Sequence, residues 1–124
     1  FEGCSRLMSV TIPDNVMTID CCSFYNCDGL THINVSAKNT KYHSSGNCII
    51  ETETKKLVLC CKKSIIPDNR SVTSIGYRSF SSCNAYESLT YCGTKEQWEK
   101  IKKDHNWKSH STALLICIDG TIKI

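Results

Sequence analysis

No apolar run in this chain approaches the roughly 20 residues that a membrane-crossing helix needs, and its first residues do not read as a secretion signal. Phosphate-cradling glycine runs are missing too: Gly46, Gly76, Gly93 and Gly120 each stand alone in turn-like surroundings. There is no Gly-x-Ser-x-Gly elbow, no His-Glu-x-x-His and no EF-hand loop. Ten cysteines contain no Cys-x-x-Cys spacing, and His105 and His110 have no cysteine pair near them in sequence. Nor is there a large excess of one charge. The net charge is +3, and the lysines at 95, 100, 102, 103 and 108 are interleaved with Glu96, Glu99 and Asp104. That pattern fits a solvated helix face better than a nucleic-acid reader, which needs a larger basic excess with interleaved aromatics. Glu51 and Glu53 are close in sequence, but paired-carboxylate catalysis needs convergence in a pocket, and both fall beside a predicted turn. These absences predict a non-enzymatic chain without cofactor or metal, and without nucleic acid as partner.

What the sequence does have is a repeat. Phe1, Cys4, Leu7, Val10 and Ile12 return 23 residues later as Phe24, Cys27, Leu30, Ile33 and Val35, and 56 residues after that as Phe80, Cys83, Tyr86, Leu89 and Tyr91. A second stretch keeps the same frame: Val16-Met17-Thr18-Ile19 precedes Val72-Thr73-Ser74-Ile75 by 56 residues. Ile-Pro-Asp-Asn stands before each, with Arg70 and Ser71 added in the second copy. Proline presets φ and Asp/Asn side chains accept local backbone hydrogen bonds, so Pro-Asp-Asn is a turn. One unit therefore reads as strand, turn, short strand and a compact Phe-x-x-Cys segment. A period in the twenties predicts a solenoid whose apolar ladders stack on one another.

Leu30-x-x-Ile33-x-Val35 and Leu7-x-x-Val10-x-Ile12-Pro13-Asp14-Asn15-Val16-x-x-Ile19 resemble the BspA-type leucine-rich repeat, as do Phe24-x-x-Cys27 and Phe80-x-x-Cys83. Tyr91-x-Gly93-Thr94-x-x-Gln97-Trp98 is similar to the segment that often ends such arrays; Tyr86, where a leucine belongs, departs from the pattern. The resemblance implies a mostly β, short-strand leucine-rich-repeat solenoid, with repeats over 1–93 and an irregular unit at 36–64. In that unit Cys48-Ile49-Ile50-Glu51 and Leu57-Val58-Leu59-Cys60 predict an inserted β-hairpin turning through residues 53–56, entered by a polar loop from Asn39 to Asn47. Residues 94–124 predict a cap. Thr94-x-x-Gln97 is a capping box; Trp98, Ile101 and His105 share a helical face opposite Lys95, Glu99, Lys102 and Lys103; and Asp119-Gly120 predicts a type I′ turn between two apolar strands, with Trp107 packed against them. Because the chain begins at Phe1, inside a unit, it is expected to be a piece of a longer array.

Cysteine admits several readings. Cys4, Cys27 and Cys83 share one repeat position, where small buried thiols suit a ladder. Neighbours such as Cys21-Cys22 and Cys60-Cys61 point to opposite faces of an extended chain and are poor partners for each other. Structural thiols are favoured, disulfides involving Cys92 or Cys117 come second, and zinc comes last.

The residues between ladder positions face outward and line up from rung to rung. Ser9 and Thr11, His32 and Asn34, then Ser88 and Thr90 form a small, polar, nearly uncharged stripe. Ordinary solvated strand residues would give the same pattern. The resemblance implies that such a stripe binds a protein, with host surface and matrix proteins as candidates, in a cell-surface or secreted adhesion module. The alternative is an architectural spacer that holds another domain.

Overall fold

The computed structural model describes all residues except 1–3, 5, 21–22, 25–26, 28, 69, 81–87 and 109–113. The chain is a solenoid of short strands with one helix among the described residues. Its elements run β1 (Ser9–Ile12), β2 (His32–Val35), β3 (Tyr42–Ser45), β4 (Cys48–Glu51), β5 (Lys56–Cys60), β6 (Ile65–Ile66), β7 (Ser74–Ile75), β8 (Ser88–Tyr91), α1 (Lys95–Lys100), β9 (Lys102–Lys103), β10 (Leu114–Cys117) and β11 (Gly120–Lys123).

The 23-residue period is the spacing of stacked rungs. β1 and β2 pair in parallel with Ser9 beside His32 and Ile12 beside Val35. Local turns repeat with the same frame: Leu7 N–H bonds Cys4 O at 3.0 Å, and Leu30 N–H bonds Cys27 O at 3.1 Å. At the 56-residue offset, Ser23 N–H bonds Asp20 O and Ser79 N–H bonds Gly76 O. Burial alternates as the ladder requires. Ile33 and Val35 of β2 are buried while His32 and Asn34 are exposed. Leu7 and Leu30 belong to one apolar cluster with Ile12, Phe24 and Cys27. Phe1, Cys83 and Tyr86 lie outside the described residues.

Besides the β1-β2 pair, two larger sheets run along the solenoid among the described residues. A four-stranded sheet has the order β11-β10-β8-β6, and a five-stranded sheet has the order β3-β4-β5-β7-β9. Between them lies a second apolar cluster, rich in aromatics. Phe80, Trp107, Trp98 and Tyr91 form a chain of tilted and edge-on contacts with ring centroids 5.0, 5.8 and 5.3 Å apart. Cys60 belongs to this cluster and its neighbour Cys61 to the other, so one extended strand seals both.

The inserted hairpin pairs β4 with β5, as the sequence predicts. The loop expected over residues 39–47 instead contains β3, paired antiparallel to β4. Gly46 and Asn47 make its turn with φ of +59° and +60°, the double positive φ of a type I′ connection. Asn39 enters this unit buried and fully used. Its amide donates to Pro13 O and Val16 O at 2.8 and 3.0 Å, and its carbonyl accepts from Lys41 N and Tyr42 N.

The C-terminal segment departs from expectation in detail. The capping box is present, but α1 stops at Lys100, short of His105, which is exposed. Lys103 folds back and donates to Ile101 O and to Trp98 O, which also accepts from Ile101 N–H, while Lys102–Lys103 join β7 as a strand. Lys103 is thus half-buried over the Trp98 ring, not on a solvated face, and this burial lowers its pKa. The terminal hairpin turns at Ile118-Asp119, one residue early. The positive φ falls on Gly120 at +135°, which is not the type I′ geometry expected for Asp119-Gly120. Asp119 accepts from Lys95 N at 2.9 Å, tying the hairpin to the helix start. Cys4, placed on the buried ladder by its spacing, is exposed.

Candidate functional site

The candidate site is the outward face of the stacked strands. Its first half is the β1–β2 pair, where Ser9 stands beside His32 and Thr11 beside Asn34. All four side chains are exposed. The Thr31 hydroxyl donates to Met8 O and also lies 2.9 Å from His32 Nδ1. Both contacts are satisfied when Nδ1 carries the proton, which leaves His32 Nε2 as an outward acceptor.

The free edge of β2 then meets an unusual neighbour. The tip of the β3–β4 hairpin occupies the next rung, and its side chains stand in for a strand's backbone acceptors. Val35 N–H donates to Ser44 Oγ at 3.0 Å, and Ile33 N–H donates to Asn47 Oδ1 at 3.2 Å. Ser44 Oγ also reaches Asn34 Oδ1 at 3.4 Å. On its far side the tip continues the row into β6: Ile65 N–H donates to Gly46 O at 2.7 Å, and Ser64 Oγ donates to Asn47 O at 2.6 Å. A Cβ on Gly46 would lie 2.0 Å from Ile65 O, so the approach requires glycine.

Ser88 and Thr90 lie in the second half, separated from β2 by the tip and β6. Their neighbours are apolar as well as polar: Ile65 is in register with Thr90, Thr90 with Ile116, and Ser88 with Leu114. Ile65, Leu114 and Ile116 are 48, 44 and 43% exposed, far above the ladder residues beside them. The six residues of the predicted stripe thus share one row but not one neighbourhood. The first four make a polar half, and Ser88 and Thr90 sit inside an apolar half. The sequence reading missed Ser44, Ile65, Leu114 and Ile116. The Gly46-Asn47 dipeptide and the every-second-residue apolar pattern of Leu114 and Ile116 were the available signals.

A cleft of about 600 Å³ opens at the edge of this row, lined by Ser45, Gly46, Ile65, Pro67, Asp68, Arg70, Ser71 and Cys92. Arg70 pairs with Asp68 at 2.9 Å, and that hydrogen bond holds the Asp68 carboxyl below its usual pKa. Cys92 and Cys117 carry free thiols, and burial pushes the Cys117 thiol pKa up. Among the described residues no group of His, Cys, Asp or Glu converges to hold a metal, and no helix is long and apolar enough to cross a membrane.

Comparison with known proteins bears on the fold. Residues 1–97 match the family described as BspA type leucine rich repeat region, in six copies. A search of curated proteins gives no match. The crystal structure of a leucine-rich repeat protein from Eubacterium ventriosum superposes with a TM-score of 0.54 at 17% identity. The match covers 69% of this chain but only 26% of that one, so this chain spans about a quarter of its length.

Proposed function

The chain belongs to the BspA-type leucine-rich repeat family, and we propose that it is a non-enzymatic binding module whose outward strand face contacts a protein partner. The observation that carries this reading is the join. The hairpin tip is fitted between β2 and β6 by four hydrogen bonds, so the polar half and the apolar half form one uninterrupted surface. A face that only needed solubility gains nothing from Ile65, Leu114 and Ile116 at 43% exposure or more. A polar flank beside an apolar centre is the common anatomy of protein interfaces.

The same reading puts the parent protein at a cell surface or outside the cell, in adhesion to a host surface or matrix protein, and the match to the BspA-type repeat family supports it. The experiment is binding of the purified chain to a panel of purified extracellular-matrix proteins by biolayer interferometry, against the variant Thr11→Glu/His32→Glu/Asn34→Glu. We expect binding to one of the panel, lost in the triple variant, with thermal unfolding nearly unchanged because all three side chains are exposed. Equal binding by the triple variant removes the polar half from the interface. A chain that binds none of the panel favours the spacer reading.

A further inference from the structure

We propose that Cys48 and Cys60 form a disulfide that staples the inserted hairpin, a covalent site distinct from the cysteines near the cap. The two residues are direct cross-strand partners of β4 and β5. Partners at one register position share a face, and both are completely buried in the same cluster. The pair is also of the right kind. In an antiparallel ladder, opposite residues either exchange two backbone hydrogen bonds or none. Cys60 N–H is committed to Ser79 O at 2.9 Å, on the side away from β4. Cys48 and Cys60 therefore form a non-hydrogen-bonded pair, whose Cα atoms stand about 4.5 Å apart. That separation lies within the span of roughly 4.4–6.8 Å that a disulfide bridges. Cys61, the next residue, belongs to the opposite cluster and points away from Cys48.

In the structure Cys48 and Cys60 carry thiols, and the Cys48 thiol lies 3.7 Å from Gly46 O as donor, a weak hydrogen bond that oxidation gives up. The chemistry is exchange with a disulfide oxidant, for which oxidised glutathione serves. One cysteine thiolate attacks the oxidant's S–S bond and forms a mixed disulfide, releasing one glutathione. The second thiolate displaces the other glutathione and closes the Cys48–Cys60 bond. The two protons lost by the cysteines end on the two glutathiones. With both sulfurs buried, the exchange belongs to folding, before the hairpin is packed. Cys48 directly follows the tip, so the staple would hold in place the segment that joins the two halves of the outward face.

The test is refolding of the reduced chain in a glutathione redox buffer, alkylation of remaining thiols, and mass spectrometry of a tryptic digest. Cleavage after Lys41, Lys55, Lys56 and Lys62 leaves Cys48 in one peptide and Cys60 with Cys61 in another. We expect these two peptides linked with the loss of two hydrogens, and fragmentation placing the bond on Cys60. Cys61→Ala should keep the link and Cys60→Ala abolish it. The urea midpoint of the oxidised chain should fall on reduction. Recovery of both peptides fully alkylated overturns the proposal, as does a bond mapped to Cys61 or to any other cysteine. Fragmentation of the unaltered chain decides this even if a variant does not fold.

Discussion

Replacing Gly46 by alanine should break the solenoid at the hairpin tip. Gly46 has φ of +59°, where a Cβ costs roughly 1–2 kcal/mol. The added Cβ would also lie 2.0 Å from Ile65 O and 3.1 Å from Ile65 C, both backbone atoms that cannot swing aside. The tip has to retreat, and the 2.7 Å bond from Ile65 N–H to Gly46 O goes with it. Leaving that donor poorly satisfied costs about 1–3 kcal/mol. Together these effects give about 2–5 kcal/mol, a large fraction of the stability of a domain this size. Urea unfolding followed by tryptophan fluorescence measures the loss, because Trp98 and Trp107 pack beside Phe80 and Tyr91 in the core. Native-state hydrogen exchange locates it, with faster exchange at the Ile65 amide. Gly120→Ala is the comparison: its Cβ would meet only the flexible end of Lys95, at 3.2 Å, so backbone strain alone is left there. A Gly46→Ala chain within 0.5 kcal/mol of the parent, on the order of an innocuous surface change, would refute the close approach of tip and β6.

Leu30→Ala removes a completely buried rung residue and should cost about 2–5 kcal/mol in urea unfolding, with faster amide exchange in both β1 and β2. Asn39→Leu strips hydrogen bonds from Pro13 O, Val16 O, Lys41 N and Tyr42 N, and should cost about 2–4 kcal/mol by the same assay. The Cys117 thiol is held above its usual pKa by burial first and by Asp119 second. Its neutral form is therefore favoured in the folded chain, a contribution present below the unfolded value near 9.0 and lost as pH rises through the folded one. The parent should accordingly lose more thermal stability than Cys117→Ala between pH 8 and pH 10.5, narrowing the gap between their unfolding midpoints.

The repeat was legible because stacking demands it. Val10, Ile33 and Leu89 hold their frame since each must meet the rung beside it, and a shift of one residue would turn the whole strand outside in. The outward position of Ser9, Thr11, His32 and Asn34 followed from the same alternation. The hairpin tip did not follow, because its contacts replace a pattern by single atoms. Ser44 Oγ and Asn47 Oδ1 accept bonds that a regular rung would take on its backbone, and Tyr42-His43-Ser44-Ser45 has no apolar alternation to announce a strand. The helix end was hidden in the same way. Lys103 continues the helical spacing in sequence, yet its ammonium caps the carbonyls at Trp98 and Ile101 while its backbone joins β7. Cys4 shows the limit of register reasoning: its equivalent Cys27 is buried in the first apolar cluster, whereas Cys4 is exposed.

The central claim is that the two halves of the strand face act as one surface. Hydroxyl-radical footprinting of the chain with and without a bound matrix protein tests it at side-chain level. Labelling should fall together at His32, Ile65 and Ile116 and stay unchanged at Met17, which is exposed outside that face. Protection of Met17 and Tyr77 with His32 and Ile65 labelled as before would contradict it.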